Sequence, residues 1–412
     1  MNTQLNSGYV LFICGGKWQM PWLQFLKDKG HRIILVDPYE TSPCVPLADI
    51  HLKRDARDVE GILQDVFEGG REIQFVSSDQ TDVSTDTVAI LSERLGTRGN
   101  NPEAVLRFSN KAINREFVQS LDPSRIPAFA RIHNTRELEA FLHATGNDIM
   151  VKPVDAQSSR GIARLAVQSS PADIAAAFNN AQSQTTQHFV VAEQFIQGTE
   201  ITVEGIKTPK GHHALAISAK KHFRTGIASE LRYPAPLSAD LQRELTEFHN
   251  NLIERSGLDY GITHAEYIVA DPQFYLVEMA CRGGGTLIPS DIVPRVSGVD
   301  VYEALYQLQM GNEPEMNPKA EPAHAILYFF EFPAGRVERI EGLEEAASLP
   351  GVHHLELEFA EGDILKPAGD DRGRQGFAIV TAHDAATLEA RLQGLIATLN
   401  ITVKPITEYA PV

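Results

Sequence analysis

Between Gly261 and Gly285 the sequence forms two β-prone runs joined by a turn, and each run carries one glutamate. The first is Ile262-Thr-His264-Ala-Glu266-Tyr-Ile-Val-Ala270, and the turn is Asp271-Pro272-Gln273. The second is Phe274-Tyr-Leu-Val-Glu278-Met-Ala-Cys-Arg282-Gly-Gly-Gly285. β-Branched and aromatic residues on both sides of such a turn predict a hairpin. A three-residue loop pairs Ala270 with Phe274, and the ladder then sets Glu266 opposite Glu278. Opposed residues have Cβ atoms about 4.5–5.5 Å apart, and like charges there are destabilising. A chain tolerates the pair if a cation sits between the carboxylates. Mg²⁺ suits such oxygen ligands and usually takes one or two carboxylates plus substrate phosphates. Arg282 shares the Glu278 face by the period of two. Two acids and one base are therefore expected at one spot, acting on a phosphorylated substrate.

The rest of the chain supplies a frame for that spot. Tyr9–Cys14, Arg32–Val36 and Ile73–Ser77 read as strands, and the amphipathic stretches Trp18–Lys29 and Val59–Phe67 as helices. This alternation predicts a parallel, doubly wound sheet over roughly the first 100 residues. Lys111–Leu121 and Leu241–Ser256 read as further helices. From about Pro322 the pattern changes to a smaller α+β tail with strands at Ala325–Phe332, His353–Phe359 and Phe377–Ala382. A length of 412 residues allows two or three domains. The net charge of −17 argues against general attraction to nucleic acid or anionic membrane. Three scattered cysteines form neither a disulfide framework nor a zinc pattern. With no leader and no long apolar run, a cytoplasmic protein is expected.

Several weaker signals point to phosphate. Ile149-Met-Val-Lys152-Pro153 with Ser158-Ser159-Arg160-Gly161 sets a lysine at a strand end beside a small polar loop. Such a loop can wrap phosphate oxygens, and lysine adds a point charge. Taken alone, this is more often a surface hairpin. Neither it nor Gly15-Gly16-Lys17 is a Walker loop. Phe189–Ile196 followed by Gly198-Thr-Glu200 is an apolar strand entering a bend. It suits an adenine ring with Glu200 on the ribose, or else a core strand with two solvated glutamates. Lys111 opens a helix, where the dipole disfavours a cation; an anion nearby would explain it. His264 alone is more often structural than catalytic. Gly15-Gly16 with Asp37 also prompts a NAD-dependent dehydrogenase, although Gly-x-Gly-x-x-Gly is absent and the facing glutamates are left without a role.

Lys111, Lys152 with Ser158-Ser159, Glu193 to Ile196, Glu200, Glu266, Glu278 and Arg282 occur in the order and approximate spacing of the ATP-grasp superfamily. Within it the chain resembles the L-amino acid ligases, on Gly261-x-x-His264-x-Glu266 and Glu278-x-x-x-Arg282-Gly-Gly. The resemblance implies an α/β ATP-grasp fold in three parts. A Rossmann-like parallel-sheet domain covers 1–110. A central subdomain with a phosphate-binding lid loop covers 111–192. A subdomain with the metal site covers 193–412 and includes the C-terminal α+β extension. Roles follow from the same resemblance. Lys111 and Lys152 hold the α- and β-phosphates, and Ser158 and Ser159 lie in the loop that closes over the triphosphate. Glu193, Gln194, Phe195 and Ile196 hold adenine, and Glu200 the ribose. Glu266 and Glu278 bridge Mg²⁺, as two ions, with Mn²⁺ as a substitute. Arg282 stabilises an acyl phosphate and a tetrahedral intermediate, Gly285 borders the substrate, and Glu230 binds an amino group. His264 or Glu230 helps the amine lose its proton. Two positions depart from the pattern: Ala280 replaces an Asn common at the second metal position, and Arg232-Tyr233 replaces a Gly-His common in the ligases.

The implied activity is ADP-forming ligation of two L-amino acids through an acyl phosphate. The alternative is a ligase for another small carboxylate, of the purine-pathway or carboxyphosphate-forming type. Partners are small-molecule amino acids, with neither nucleic acid nor membrane, and a homodimer is usual among similar enzymes.

Overall fold

The computed structural model describes residues 8–156, 160–224, 226–369 and 373–406. The chain opens with β1 (Tyr9–Ile13), β2 (Arg32–Val36), β3 (Ile50–Leu52) and β4 (Ile73–Ser77), a parallel sheet in the order β3-β2-β1-β4. Parallel strands are normally buried on both faces, and this sheet follows that rule. Val10, Phe12, Ile33 and Leu35 pack with Trp22, Leu23 and Leu26 of the helix Met20–Asp28. Leu11, Ile13, Ile34 and Val36 pack with Ile62, Leu63 and Val66 of the helix Val59–Glu68. Asp37, which prompted the dehydrogenase reading, is spent inside this unit. It accepts from the Gly15 N–H at 2.8 Å, the Tyr39 N–H at 2.9 Å and the Ser42 hydroxyl at 2.5 Å.

A second, antiparallel sheet contains β5 (Phe129–Ile132), β6 (Ile149–Lys152), β7 (Ala163–Leu165) and β8 (Val190–Gln194), in the order β5-β8-β6-β7. The largest sheet begins with β9 (Thr199–Thr208), β10 (Gly211–Arg224), β11 (Ile227–Tyr233), β12 (Gly261–Ala270) and β13 (Gln273–Ala280). The C-terminal strands are β14 (His324–Phe329), β15 (Gly335–Glu341), β16 (Val352–Leu357), β17 (Ile364–Leu365), β18 (Gly376–Ala382) and β19 (Asn400–Lys404). Three of them continue the large sheet, which runs β13-β12-β9-β10-β11-β14-β18-β16. The α+β tail thus partly continues the large sheet, while β15, β17 and β19 form a separate three-stranded sheet in the order β17-β15-β19. Pairing β14 on β11 covers what would be an exposed sheet edge. Among the described residues no helix is long and apolar enough to cross a membrane.

The hairpin forms, and Glu266 does face Glu278. The route to that register differs from the expected one. The loop is Asp271-Pro272, so Ala270 pairs with Gln273 and Val269 with Phe274. Continued regularly, this register would turn Glu278 onto the core face beside Ala265. A bulge at Val277 absorbs one residue and returns Glu278 to the rung opposite Glu266. The deciding energy is burial: Phe274 and Leu276 are fully buried on one face, where a carboxylate would be costly.

Candidate functional site

The glutamates open onto a cavity of about 1000 Å³ between the large sheet, the second sheet and the loops after β4 and β13. Its floor is the run β13-β12-β9-β10, and alternation along each strand brings a row of charges to one face. Glu204 accepts from His264 Nδ1 at 2.7 Å, and His264 Nε2 lies 3.5 Å from Glu266. Lys220 Nζ stands 2.9 Å from Glu266 and 2.5 Å from Glu200, and Glu200 lies 3.2 Å from His222 Nε2. Acids and bases alternate across three strands. Burial disfavours the Glu266 carboxylate, but Lys220 and His264 outweigh it and hold its pKa well below the usual range. Burial likewise opposes the charge on Lys220, and the two glutamates raise its pKa regardless.

Glu278 has its own lysine. Lys111 Nζ lies 3.3 Å from Glu278 Oε1 and donates to the Ala156 carbonyl at 2.9 Å. This anion accounts for a cation at the helix start, where Asn110 caps the N–H groups of Ala112 and Ile113. The repulsion between the facing glutamates is therefore relieved by two lysines, one on each acid. On the opposite wall, Glu193 is sandwiched between Lys152 at 2.7 Å and Arg115 at 2.9 Å. Burial raises the Glu193 pKa, yet Arg115 and Lys152 bring it down to about 2. Arg282 is gripped bidentately by Asp82, with both contacts at 2.6 Å, and its Nη1 donates to the Gly283 carbonyl. Burial opposes the arginine's charge and Asp82 more than restores it. The loop after β4 anchors the neighbouring backbone too: Asp79 accepts from the Gly283 N–H at 2.8 Å and Gln80 from the Leu287 N–H at 3.1 Å.

Two stretches match known domain families. Residues 145–290 match the ATP-grasp domain, and residues 328–404 match the L-amino acid ligase C-terminal domain 2. The chain has the ATP-grasp fold and resembles the L-amino acid ligases. An uncharacterized protein of Sinorhizobium fredii, y4rH, is 20% identical over 78% of this chain and 67% of its own length. Among solved structures, an L-amino acid ligase from Bacillus licheniformis superposes with a TM-score of 0.81 at 20% identity, covering 98% of this chain and all of that one. A phosphoribosylglycinamide synthetase from Anaerococcus prevotii gives 0.75 at 18% identity, covering 96% and 100%. At these identities the likeness is one of fold.

Within this ATP-grasp frame most expected residues converge. Lys111, Lys152, Glu193, Gln194, Phe195, Ile196, Glu200, His264, Glu266, Glu278, Arg282 and Gly285 all line the cavity. Ser158 and Ser159 lie outside the described residues. Three expectations change. Glu230 is not among the lining residues. On β11 it is Leu231 that lines the cavity, whereas Glu230 bonds Lys221 at 2.9 Å and lies 3.4 Å from Arg232, which reaches Glu389 of the helix Ala385–Thr398. His264 is a poor proton acceptor. Burial alone would lower its pKa, but Glu204 and Glu266 raise it to about 9, so it is cationic at neutral pH. The Glu193 side chain is occupied by Lys152 and Arg115, and the Phe195 N–H is spent on the Asp148 carbonyl. What that end of the cavity still offers is the remaining backbone groups and the apolar walls Met150, Ile162 and Ile268.

Four residues of this constellation were missed: Lys220, Arg115, Asp79 and Asp82. Asp79 and Asp82 had a legible signal, since they follow a parallel strand at its carboxyl end, where α/β sheets place ligands. Lys220 had a fainter one, a lysine inside the apolar alternation Ala214–Ala219 and its continuation.

Proposed function

We propose that the protein is an ATP-dependent carboxylate–amine ligase that joins two L-amino acids and releases ADP and phosphate. The observation that carries this reading is the convergence of Glu266, Glu278, Lys111, Lys152, Lys220 and Arg282 on one cavity. The match of residues 328–404 to an L-amino acid ligase domain supports the choice of substrate class.

The lysines hold the polyphosphate as point charges. A substrate carboxylate oxygen attacks the γ-phosphorus, the bond from that phosphorus to the ADP oxygen breaks, and an acyl phosphate forms. The amine nitrogen of the second amino acid then attacks the acyl carbon. The carbon–oxygen bond to phosphate breaks, and the amine proton leaves with solvent. Positioning and charge neutralisation supply most of the rate, as in other phosphoryl transfers. Arg282, held rigid by Asp82, is placed to meet charge as it develops on the phosphoryl group and the oxyanion. His264, as a fixed cation, orients Glu266 and takes no proton from the amine.

The residues fit Mg²⁺. Glu266 is held ionised and lines the cavity with Glu278, so hard oxygen donors face it. Among the described residues no cluster of three or more His, Cys, Asp or Glu could hold a metal, so the two carboxylates would leave most of the shell to phosphate and water, which is the habit of Mg²⁺. The ion would neutralise phosphate charge. Two ions, a cytoplasmic setting and a homodimer belong to the same reading.

The test is to supply MgATP with pairs of L-amino acids and analyse both products. Dipeptide with ADP and phosphate is expected, and Mg²⁺ should be required. AMP and pyrophosphate would replace the acyl phosphate with an acyl adenylate.

A further inference from the structure

The cavity floor changes character along a single row of paired residues. Ile268 of β12 pairs with Glu200 of β9, Glu200 with Lys220 of β10, Lys220 with Leu231 of β11, and Leu231 with Leu327 of β14. Laterally paired residues share a sheet face, and all five line the cavity. The row therefore reads apolar, acid, base, apolar, apolar. Its two ends offer different things. Beside Ile268 the cavity is also lined by residues 195–198, whose backbone lies between β8 and β9 and outside the ladders. Beside Leu231 and Leu327 no backbone is on offer. Strand β11 is paired with β10 and β14, and β14 with β11 and β18, so their N–H and C=O groups are spent. The polar side chains nearby are spent too. Gln80 donates to the Trp18 carbonyl at 2.9 Å and accepts from the Leu287 N–H, and the Thr202 and Ser218 hydroxyls bond each other at 2.7 Å. A purine edge laid at this end would leave water and gain no hydrogen bond, which is costly; a hydrocarbon has none to lose.

We infer that Leu231 and Leu327 seat the side chain of the acyl donor, and that the donor is an amino acid with a large apolar side chain. The inference rests on the ligase reading. Neighbouring strands lie about 4.8 Å apart, so Leu231 and Leu327 stand roughly 5 and 10 Å from Lys220 across the floor, within the reach of one amino-acid side chain. Ile288 lines the same cavity and belongs with Leu231 and Leu327 to one apolar cluster, against which Trp18 packs. Ile288 also lies on the segment that begins at Arg282, the residue placed to meet charge on the acyl group. That segment is locked. Asp79 and Gln80 hold the N–H groups of Gly283 and Leu287, and Thr286 and Leu287 keep φ values of 59° and 63°, which side-chain-bearing residues rarely adopt. Arg282 and one wall of the apolar patch are thus fixed together. An acyl carbon beside Arg282 has its Cα as the next atom, and the side chain then falls on the patch. Two positions along β14 from Leu327, the Phe329 ring has the Arg374 guanidinium carbon 3.8 Å from its centroid. A cation at that border makes an acidic donor the outcome to exclude.

Hydroxylamine tests this, because it captures an acyl phosphate as a hydroxamate and so reads the donor alone. Full-length protein is given MgATP, hydroxylamine and each of the twenty standard L-amino acids in turn. No hydroxamate from any of them would sink the ligase reading itself, and this inference with it. Donors of the size of leucine, methionine or phenylalanine should lead, with kcat/KM about ten-fold or more above alanine, since each buried methylene favours binding about four-fold. A lead taken by glycine, serine, an acidic or a basic donor would leave the ligase reading standing and overturn the inference. Leu231→Ala should move the preference toward larger donors and Leu231→Phe toward smaller ones. The ratio of kcat/KM for phenylalanine over alanine should shift about ten-fold, in opposite directions in the two variants. Damage to the fold lowers both donors alike and leaves that ratio alone. An unchanged ratio in both variants would overturn the inference, and so would a loss of MgATP affinity as large as the loss of donor kcat/KM, which would give the patch to the base. The wild-type donor spectrum decides the matter even where a variant fails to fold.

Discussion

At the scale of single residues, the site is organised as matched charges, and the consequences of breaking each match differ. Arg282→Ala removes the cation from the proposed reacting centre and from Asp82 together. The loss of one such electrostatic contact commonly costs about 10²–10³ in rate. We expect Arg282→Ala to bind MgATP within a few-fold of wild type, to melt earlier, and to lose most ligation. Adding Asp82→Asn should restore the melting temperature and leave ligation dead. Recovery of ligation in the double variant would show that Arg282 merely neutralises Asp82. Glu193 allows a separate test by pH. Its folded pKa, about 2, lies below the ordinary 4.5 because Arg115 and Lys152 outweigh burial. A depressed carboxyl stabilises the fold fully above its unfolded pKa and loses that contribution as pH falls through the folded value. Glu193→Gln strips a buried ion pair of one partner, which costs about 3–5 kcal/mol. The stability gap between wild type and variant should be widest above pH 4.5 and should narrow toward pH 2. Urea unfolding at several pH values reads it, and a gap that grows on acidification contradicts the assignment.

At the scale of elements, the hairpin decides where the carboxylates stand. Its existence and its facing glutamates were legible, because β-prone residues flank an Asp-Pro turn and the two runs have equal reach. The turn length and the bulge were not legible, since they depend on Phe274 and Leu276 being buried, which no local pattern states. Lys111 shows the opposite case: an ill-placed charge announced an anion that the fold then supplied. Glu230 shows a third: the resemblance assigned it to the substrate, but strand alternation turns it toward the C-terminal helix. The hairpin reading makes an unusual prediction. Deleting Val277 removes the bulge but leaves Glu278 on the rung opposite Glu266, so MgATP affinity should stay within a few-fold. Glu278→Gln keeps the hairpin and removes the charge, and affinity should fall about ten-fold or more. Calorimetry on both variants checks the order. If the deletion proved the more damaging, the bulge itself would be part of the site.

At the scale of the whole molecule, the site is assembled from parts that could not be joined by reading along the sequence. Asp79, Gln80 and Asp82 come from the loop after β4, some 200 residues before the Arg282–Leu287 segment that they hold. The lysines proposed to bind phosphate come from other elements: Lys111 from a helix start, Lys152 from β6 and Lys220 from β10. This division predicts that nucleotide binding and ligation can be separated by a change that touches neither substrate. Asp79 is fully buried within the fold and accepts from the Gly283 N–H and, at 2.9 Å, from the Tyr302 hydroxyl. Asp79→Ala leaves both donors without this acceptor, and a buried unsatisfied group costs about 1–3 kcal/mol. The penalty falls on the segment that carries Arg282, since Gly283 follows it directly. Asp79→Ala should therefore melt earlier and lose ligation, while calorimetry should find MgATP affinity within a few-fold of wild type. A parallel loss of nucleotide affinity would mean that the parallel-sheet domain supports the whole cavity, rather than the reacting end of it.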